Sequence, residues 1–355
     1  MKSIILYIFF ILFVSCANEN NNITDEDNIE IRGADMSLLP ELRKSGLTFF
    51  NENDKPEEML KTLKNAGVNV VRLRLWHNPS ELTSGFQSVK NLADEIKKSG
   101  MKVLITVHYS DSWADPGKQT KPAKWKNLDY NTLKDSVYQY TKKIMTEINP
   151  EYIQIGNEIN SGLLWPDGKI NNPGQMKQLI SSGISAVREV NKSTAVIIQF
   201  AGIKSSDWFY SQISDLDYDI IGLSYYPIWH GKNLDTLKNT MVNLSGKFGK
   251  KIFIAETSYP FTLSWNDATT NIIGSESQIL PEFPPTPAGQ KNFLLKLKEI
   301  VSSIEKGAGF CYWGTEWVSF KGKESTTGSS WENQALWDFT NSALPAMEVY
   351  SLQVN

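Results

Sequence analysis

The sequence contains few of the residues that build metal centres and disulfide frameworks. Its 355 residues include two cysteines, Cys16 and Cys311, and three histidines that lie far apart. These spacings form neither a CxxC motif nor a His/Cys ligand cluster, so they offer no zinc-type metal site. Only Cys311 lies in the body of the chain, so no disulfide can brace it. We therefore expect a large hydrophobic core to stabilise the fold.

An excess of positive charge is also missing. Lys and Arg total 36 against 39 Asp and Glu, a formal net charge of −3, and no long basic run occurs. Because nucleic-acid binding requires a positive surface that neutralises phosphates, we expect no nucleic-acid partner. Residues 33–36 (GADM), after the first predicted strand, lack the G-x-G-x-x-G spacing of dinucleotide-binding folds. The composition, 41% hydrophobic and 21% charged, is that of a folded globular chain.

The amino terminus carries an apolar run that is too short to span a bilayer. It extends over residues 4–14 behind the charged Lys2 and leads into the sequence FVSC, which ends at Cys16. This pattern resembles the lipobox of a bacterial lipoprotein signal, which implies that residues 1–16 direct export and that Cys16 is lipidated. The alternative is an ordinary signal peptide that contains a chance cysteine. We expect an exported, membrane-anchored lipoprotein, on the outer-membrane surface rather than in the periplasm.

The rest of the chain reads as a short tether and one domain. Residues 17–29 are rich in Asn and acidic residues and predict a flexible tether. Residues 30–355 contain no internal repeat or low-complexity linker, so we assign them to one folded domain and expect a monomer. Two long segments without periodicity, 261–287 and 319–333, are candidate functional loops.

Short apolar runs alternate with amphipathic segments along this domain. The runs predict strands near residues 31–36, 70–75, 102–109, 152–158, 195–200, 219–225, 251–257 and 309–314. Amphipathic segments predict helices over 56–65, 89–98, 132–148, 175–190, 234–247 and 290–306. Eight strands that alternate with helices over about 320 residues predict an α/β fold, a single closed (β/α)₈ TIM barrel. An open doubly wound sheet is the alternative, and the missing phosphate loop counts against its dinucleotide-binding form.

Two glutamates stand at the predicted carboxyl ends of strands. Glu158 and Glu256 each close an apolar run, where a buried charge is costly unless it is paired or used. In a barrel these strand ends surround one mouth, so we expect the two carboxyl groups to face each other. Two carboxyl groups across a cleft are the equipment of glycoside hydrolysis. The 11 tryptophans could stack on sugar rings, although any one tryptophan is more often a core residue.

Five motifs carry a more specific resemblance. They are RLRLW (72–76), HYSDSWADP (108–116), GNE (156–158), SYYP (224–227) and ETSYP (256–260). Together they resemble glycoside hydrolase family 53, the endo-β-1,4-galactanases, over about residues 33–344. The resemblance implies an endo-acting retaining hydrolase that cleaves β-1,4-galactosidic bonds in galactan and type I arabinogalactan, the side chains of pectin. It implies no cofactor for catalysis.

The resemblance also implies roles for individual residues. Glu158 would be the general acid/base and Glu256 the nucleophile, held ionised by Arg74 and by Tyr225 or Tyr226. Asn157 would bind the sugar 2-hydroxyl, and retention predicts carboxyl groups about 5 to 5.5 Å apart. The remaining predicted substrate contacts are His108, Asp111, Ser112, Trp113, Ala114, Trp229, His230 and Trp313.

A structural calcium ion is a further implication. Bacterial members carry a loop resembling D-x-D-x-H-x-N after the nucleophile strand, and residues 265–271 align with it. Asp267 and Asn271 match, whereas Trp265 and Thr269 replace an acid and a histidine. Because Ca²⁺ takes six to eight oxygen ligands, Ser329 and Glu332 from the second long segment would have to complete the site. The alternative is a loop packed by Trp265 without an ion.

Two other functions remain open at this stage. The same clan of barrels includes retaining glycosidases that act on mannan, glucan or xylan. A non-catalytic glycan-binding lipoprotein with this fold is the second alternative. It is disfavoured because both glutamates occur together with Asn157, Arg74 and Tyr225, which a binding protein would not need as a set.

Overall fold

The computed structural model describes residues 29–351. Eight parallel strands form a closed barrel: β1 (Ile31–Asp35), β2 (Val70–Leu75), β3 (Lys102–Val107), β4 (Tyr152–Ile155), β5 (Ala195–Ala201), β6 (Ile220–Ser224), β7 (Lys251–Thr257) and β8 (Gly307–Tyr312). Each strand pairs with the next in the chain, and β8 closes the barrel on β1, with Ile31 opposite Gly309. The predicted TIM barrel is therefore confirmed and the open sheet is wrong. The predicted signal peptide, Cys16 and all of the tether except Ile29 lie outside the described residues.

Helices cover the outside of the barrel. They are α1 (Leu39–Ser45), α2 (Met59–Ala66), α3 (Phe86–Lys98), α4 (Tyr130–Glu147), α5 (Pro173–Val190), α6 (Ser206–Gln212), α7 (Pro227–His230), α8 (Leu234–Phe248) and α9 (Pro287–Ser302). The sequence pattern predicts six of them but not α1, α6 and α7, because four to seven residues are too few to display a helical period. Over residues 29–351, none of these helices has the length and apolar character needed to cross a membrane.

Helix α2 illustrates how local sequence sets these elements. The Glu58 carboxylate caps its start by accepting hydrogen bonds from the backbone N–H groups of Leu60 and Lys61. Its end is set by Gly67, whose φ of 107° lies in the left-handed region that favours glycine. Between these ends, buried side chains such as Leu63 face the sheet.

The barrel interior changes from apolar to polar along the strand direction. Near the N-terminal ends, an inner cluster includes Ile31, Val70, Leu104, Tyr152, Ile197, Ile220 and Phe253. Because side chains two residues apart in a strand share a face, the next inward positions are Arg72 after Val70 and Gln199 after Ile197. The bottom of the barrel is therefore an apolar plug, and polar side chains are concentrated at its carboxyl end.

The chain enters the barrel at the apolar end. Glu30, one residue before β1, accepts a hydrogen bond from the hydroxyl of Tyr152 (2.9 Å) and pairs with Lys251. Tyr152 and Lys251 are the first residues of β4 and β7. The start of the domain is thus fastened beneath the barrel, at the end opposite to the carboxyl ends of the strands.

Candidate active site

A cleft with a volume of about 400 Å³ opens at the carboxyl ends of the strands. The predicted site residues that line it are Glu158, Glu256, Asn157, Arg74, His108, Trp113, Ala114, Tyr226, Trp229, His230 and Trp313. The cleft is also lined by five residues that are not among the predicted site residues: Arg72, Asp115, Pro116, Ala201 and Trp331. The barrel therefore brings the two predicted catalytic glutamates to the same opening.

Glu256 is buried at the end of β7 and receives hydrogen bonds on both carboxylate oxygens. Its Oε1 accepts from Arg72 Nη2 (2.5 Å) and Gln199 Nε2 (2.9 Å), and its Oε2 accepts from the Tyr226 hydroxyl (2.9 Å). These donors compensate for burying a carboxylate charge. Burial raises the pKa of Tyr226 well above its usual value, and the charge of Glu256 raises it further, so this hydroxyl stays protonated and able to donate.

The predicted partners Arg74 and Tyr225 do not contact Glu256, and this part of the prediction is wrong. Arg74 faces inward one layer nearer the rim than Arg72. Its Nε donates to Ser84 Oγ (2.9 Å), and its guanidinium lies 4.0 Å from the centre of the Trp113 ring. The Tyr225 hydroxyl instead donates to the backbone carbonyl of Gly231 (2.7 Å).

Arg72 is the central cation of the site. Besides Glu256, it donates from Nη1 to Asp35 Oδ2 (2.7 Å) and from Nη2 to Asn157 Oδ1 (3.1 Å). Burial alone would lower the pKa of Arg72, but attraction to Glu256 and Asp35 outweighs this effect, so the net change is upward. Arg72 is therefore a fixed positive charge that orients the amide of Asn157 and the carboxylate of Glu256.

Glu158 lies beyond β4, half-buried at the surface of the cleft. Its backbone φ is 46°, in the left-handed region that residues with a Cβ rarely adopt. Its Oε1 accepts a 2.5 Å hydrogen bond from Ser224 Oγ. Burial, followed by repulsion from Glu256, raises the pKa of Glu158 to about 8, and Ser224 and Arg72 oppose this rise in part. A carboxyl group that keeps its proton near neutral pH can act as an acid.

Asn157 and His108 are held by the chain around the cleft. Asn157 Nδ2 donates to the carbonyl of Ala114 (2.8 Å), and the backbone N–H of Ala114 donates to His108 Nδ1 (3.1 Å). Burial, together with the positive charges of Arg74 and Arg72, lowers the pKa of His108 well below its usual value. His108 is therefore a neutral imidazole that lines the cleft and accepts a hydrogen bond from the backbone of the chain around it.

Tryptophans form the walls of the cleft. Trp313 and Trp331 meet edge to face with ring centres 4.4 Å apart, and Trp113 lies 6.3 Å from Trp313. Trp229, which is 52% exposed, continues this surface 6.0 Å from Trp331. Exposed faces of this kind suit the apolar faces of sugar rings. Trp331 belongs to the second irregular segment, where no periodicity could have indicated its position.

Asp111 and Ser112 do not line the cleft, contrary to the prediction. Asp111 joins two loops, because its oxygens accept from the backbone N–H groups of Asn78 (2.9 Å) and Ala123 (2.8 Å). Ser112 Oγ accepts from Lys118 Nζ (3.3 Å). Both side chains support the loop that carries Trp113.

The predicted calcium ligands come together, but they do not fit a calcium ion. Asp267 accepts from the backbone N–H groups of Thr269 (2.7 Å) and Ser329 (3.2 Å), and also from Ser319 Oγ (2.9 Å). Glu332 Oε1 accepts from the backbone N–H of Asn266 (2.5 Å). Among the four predicted calcium ligands, the buried side-chain oxygens without a hydrogen-bond partner are Asn271 Oδ1 and Glu332 Oε2.

Two free oxygens fall short of the six to eight that Ca²⁺ requires. Within residues 29–351 there is also no group of three or more His, Cys, Asp or Glu side chains able to hold a metal ion. The described residues therefore give no support to the predicted calcium site. Hydrogen bonds within the chain join the two long loops where the aligned motif would place an ion.

Comparisons with known proteins agree with this geometry. The family model described as glycosyl hydrolase family 53 matches residues 31–350. An arabinogalactan endo-beta-1,4-galactanase from Cellvibrio japonicus is 34% identical, over 98% of this chain and 96% of its own. An endo-beta-1,4-galactanase from Bacillus subtilis is also 34% identical, over 90% of this chain and 85% of its own.

Solved structures give the same result. The family 53 catalytic domain from Ignisphaera aggregans superposes with a TM-score of 0.84 at 37% identity, over 91% of this chain and 96% of that one. A fungal beta-1,4-galactanase superposes with a TM-score of 0.81 at 28% identity, over 91% of this chain and 99% of that one. The protein is therefore a glycoside hydrolase that belongs to glycosyl hydrolase family 53.

Proposed function

We propose that this enzyme is an endo-β-1,4-galactanase that cleaves galactan and type I arabinogalactan within the chain, with retention of anomeric configuration. The observation that carries the proposal is the contrast between two carboxyl groups in one cleft. Glu256 receives three donors that favour its charge, whereas burial favours the proton on Glu158. The names of the Cellvibrio and Bacillus relatives support galactan as the substrate.

In the first step, a carboxylate oxygen of Glu256 attacks the anomeric carbon. Glu158 gives its proton to the glycosidic oxygen as the C–O bond breaks, so the leaving chain departs as an alcohol and a galactosyl ester forms on Glu256. In the second step, ionised Glu158 takes a proton from water, whose oxygen attacks the anomeric carbon and releases Glu256. Asn157 has one amide proton left over from Ala114 with which to bind the sugar 2-hydroxyl.

We also propose that Cys16 is lipidated and holds a monomeric enzyme on the outer surface of the outer membrane. The lipobox-like sequence at residues 13–16 supports the anchor. A polysaccharide substrate supports the surface location, because long chains do not diffuse through a membrane.

The substrate is tested with galactan, mannan, cellulose and xylan, with products sized over time. We expect rapid loss of galactan chain length and little action on the others, and preferential cleavage of mannan or xylan would refute the assignment. Proton NMR of the first product gives its anomeric configuration, and inversion would contradict the double displacement.

The nucleophile is tested with Glu256→Gln. This variant keeps the shape of the side chain but removes the attacking charge, so turnover of galactan should fall by at least about 10⁴-fold while the fold persists. Glu299→Gln, at an exposed position on α9, is the control and should keep full activity. Wild-type rates in Glu256→Gln would remove Glu256 from the mechanism.

A further inference from the structure

A closed ring of hydrogen bonds begins and ends on Glu158. The backbone N–H of Glu158 donates to Gln199 Oε1 (3.2 Å), and Gln199 Nε2 donates to Ser224 Oγ (3.0 Å). Ser224 Oγ then donates to Glu158 Oε1 (2.5 Å). Gln199 and Ser224 are fully buried on β5 and β6, the two strands between β4, which leads to Glu158, and β7, which carries Glu256.

A backbone group fixes the direction of the bonds that Gln199 makes in this ring. The amide oxygen of Gln199 is identified because it accepts from a backbone N–H, which can only donate. Its Nε2 must then supply both protons as donors, one to Ser224 Oγ and one to Glu256 Oε1 (2.9 Å).

A neighbouring amide agrees with this orientation. Gln154 Nε2 donates to the backbone carbonyl of Gly156 (3.1 Å) and to Gln199 Oε1 (2.5 Å). A carbonyl oxygen can only accept, so the amide of Gln154 is oriented as well. The buried amide of Gln154 and the backbone N–H of Glu158 therefore leave the amide of Gln199 one orientation.

Ser224 has a single hydroxyl proton, and this arrangement determines where it points. The hydrogen-bond partners of Ser224 Oγ among the described residues are Gln199 Nε2 and Glu158 Oε1, and Nε2 can only donate, so Glu158 Oε1 is the acceptor for the serine proton. An oxygen that accepts this bond at 2.5 Å cannot also carry the acid proton toward the serine. Because the carbonyl oxygen of a carboxylic acid is a better acceptor than its hydroxyl oxygen, the proton of neutral Glu158 belongs on Oε2.

We propose that Gln199 and Ser224 are positioning residues that assign the catalytic proton to Oε2 of Glu158. The inference rests on the proposed acid/base role of Glu158 and goes beyond it, because it selects one of two carboxyl oxygens. The donor Gln199 also reaches Glu256, so one buried amide sets the geometry of both carboxyl groups. A carboxylic acid without this ring could place its proton on either oxygen.

Other charged or titratable groups near Glu158 are Glu256, Arg72, Asp115 and Tyr226. Replacing Ser224 by alanine leaves all of them in place and removes the donor to Oε1, together with the acceptor for one proton of the uncharged Gln199 amide. A hydroxyl that donates to a carboxylate stabilises the charged form more than the acid. Its loss should therefore raise the titration midpoint of Glu158, by about one pH unit.

The direction in which the titration midpoint of Glu158 moves distinguishes a positioning role for Ser224 from a packing role. If Ser224 only filled space, its truncation would loosen the site and admit water, and better solvation of the carboxylate would lower the midpoint. The matched control is Ser245→Ala on α8. Like Ser224→Ala it removes a buried hydroxyl, but the Ser245 hydroxyl donates to the backbone carbonyl of Lys250 (2.9 Å) and not to a carboxyl group.

The experiment combines titration with kinetics. Carboxyl-labelled glutamate NMR, with Glu158→Gln used for assignment, follows Glu158 in the wild type, Ser224→Ala and Ser245→Ala. The pH profile of kcat/KM is measured on galactan and on an aryl galactoside with a good leaving group. Ser224→Cys, which fills the site with a weak donor, is the second variant.

We expect Ser224→Ala and Ser224→Cys to shift the midpoint and the alkaline limb upward. Activity on galactan should fall about 10-fold, and activity on the aryl galactoside should fall much less, because only galactan needs the proton. Ser245→Ala should behave as the wild type. A downward or absent shift in Ser224→Ala, or equal losses on both substrates, would overturn the proposal. A wild type that leaves galactan intact would instead refute the proposed function, and the NMR titration would still test the ring.

Discussion

Replacing Glu158 by glutamine should make the enzyme more stable at alkaline pH while removing the proposed acid. Glutamine keeps an oxygen that can accept from Ser224 and presents an NH₂ group where the protonated Oε2 stands. In the wild type, burial and then repulsion from Glu256 raise the pKa of Glu158 from 4.5 to about 8. Because the folded value is the higher one, the stability that protonated Glu158 contributes is complete below about pH 4.5. It is lost as the pH rises to about 8.

The size of the effect follows from the two pKa values. At about 1.4 kcal/mol for each pKa unit, ionising Glu158 in the folded protein costs at most about 5 kcal/mol. Glu158 lines an open cleft in which water screens the charge, so we expect a difference of roughly 2 kcal/mol at pH 8.5. This corresponds to a rise in Tm of roughly 4 °C for Glu158→Gln relative to the wild type.

The measurement is thermal and urea unfolding of the wild type and Glu158→Gln at pH 5 and pH 8.5. Glu299→Gln on the exposed face of α9 is the control and should leave the pH dependence unchanged. We expect Glu158→Gln to lose less stability than the wild type between the two pH values. Parallel losses in both proteins would refute the reasoning, and so would a glutamine variant that is less stable at pH 8.5.

Three further outcomes are expected. Glu158→Ala should lower kcat/KM on galactan by about 10² to 10⁴-fold but spare aryl galactosides with good leaving groups, and equal losses in steady-state assays would contradict the acid role. Chelation with EDTA should leave Tm and activity unchanged, because Asp267 and Glu332 are bound by donors of the chain itself, and a clear fall in Tm would reinstate a calcium site. Cys16→Ala should release the protein from the membrane fraction while Cys311→Ala does not, and unchanged fractionation would remove the lipid anchor.

The barrel could be predicted because strand and helix patterns alternate along most of the chain, although the short α6 between β5 and β6 gave no helical pattern. The ranges of β2 and β7 agree with the sequence prediction at both ends. β4 ends at Ile155, three residues before the predicted end. The reason is conformational, since Gly156 (φ 81°) and Glu158 (φ 46°) leave the extended region and turn the chain toward the cleft.

The presence of Glu158 and Glu256 in one cleft could be predicted, but their hydrogen-bond partners could not. Arg72 and Arg74 both face inward from β2, and only their depth along the barrel axis decides which one reaches Glu256. Gln199 lies within an otherwise apolar strand, where its spacing from Ile197 was the available signal that it faces inward. Ser224 appeared within a motif without an assigned role, because a serine beside two tyrosines gives no indication of its contacts.

The attachment of Glu30 beneath the barrel bears on how a tethered enzyme would meet its polymer. If Cys16 sits in a membrane, the 13 residues from there to Ile29 can reach at most roughly 45 Å, and they join the barrel at its floor. A flexible tether joined at this end allows the opening to face away from the cell, so a galactan chain could cross the cleft without passing between the protein and the lipid. Fusing an anchor to the other end of the barrel axis should bury that opening against the bilayer.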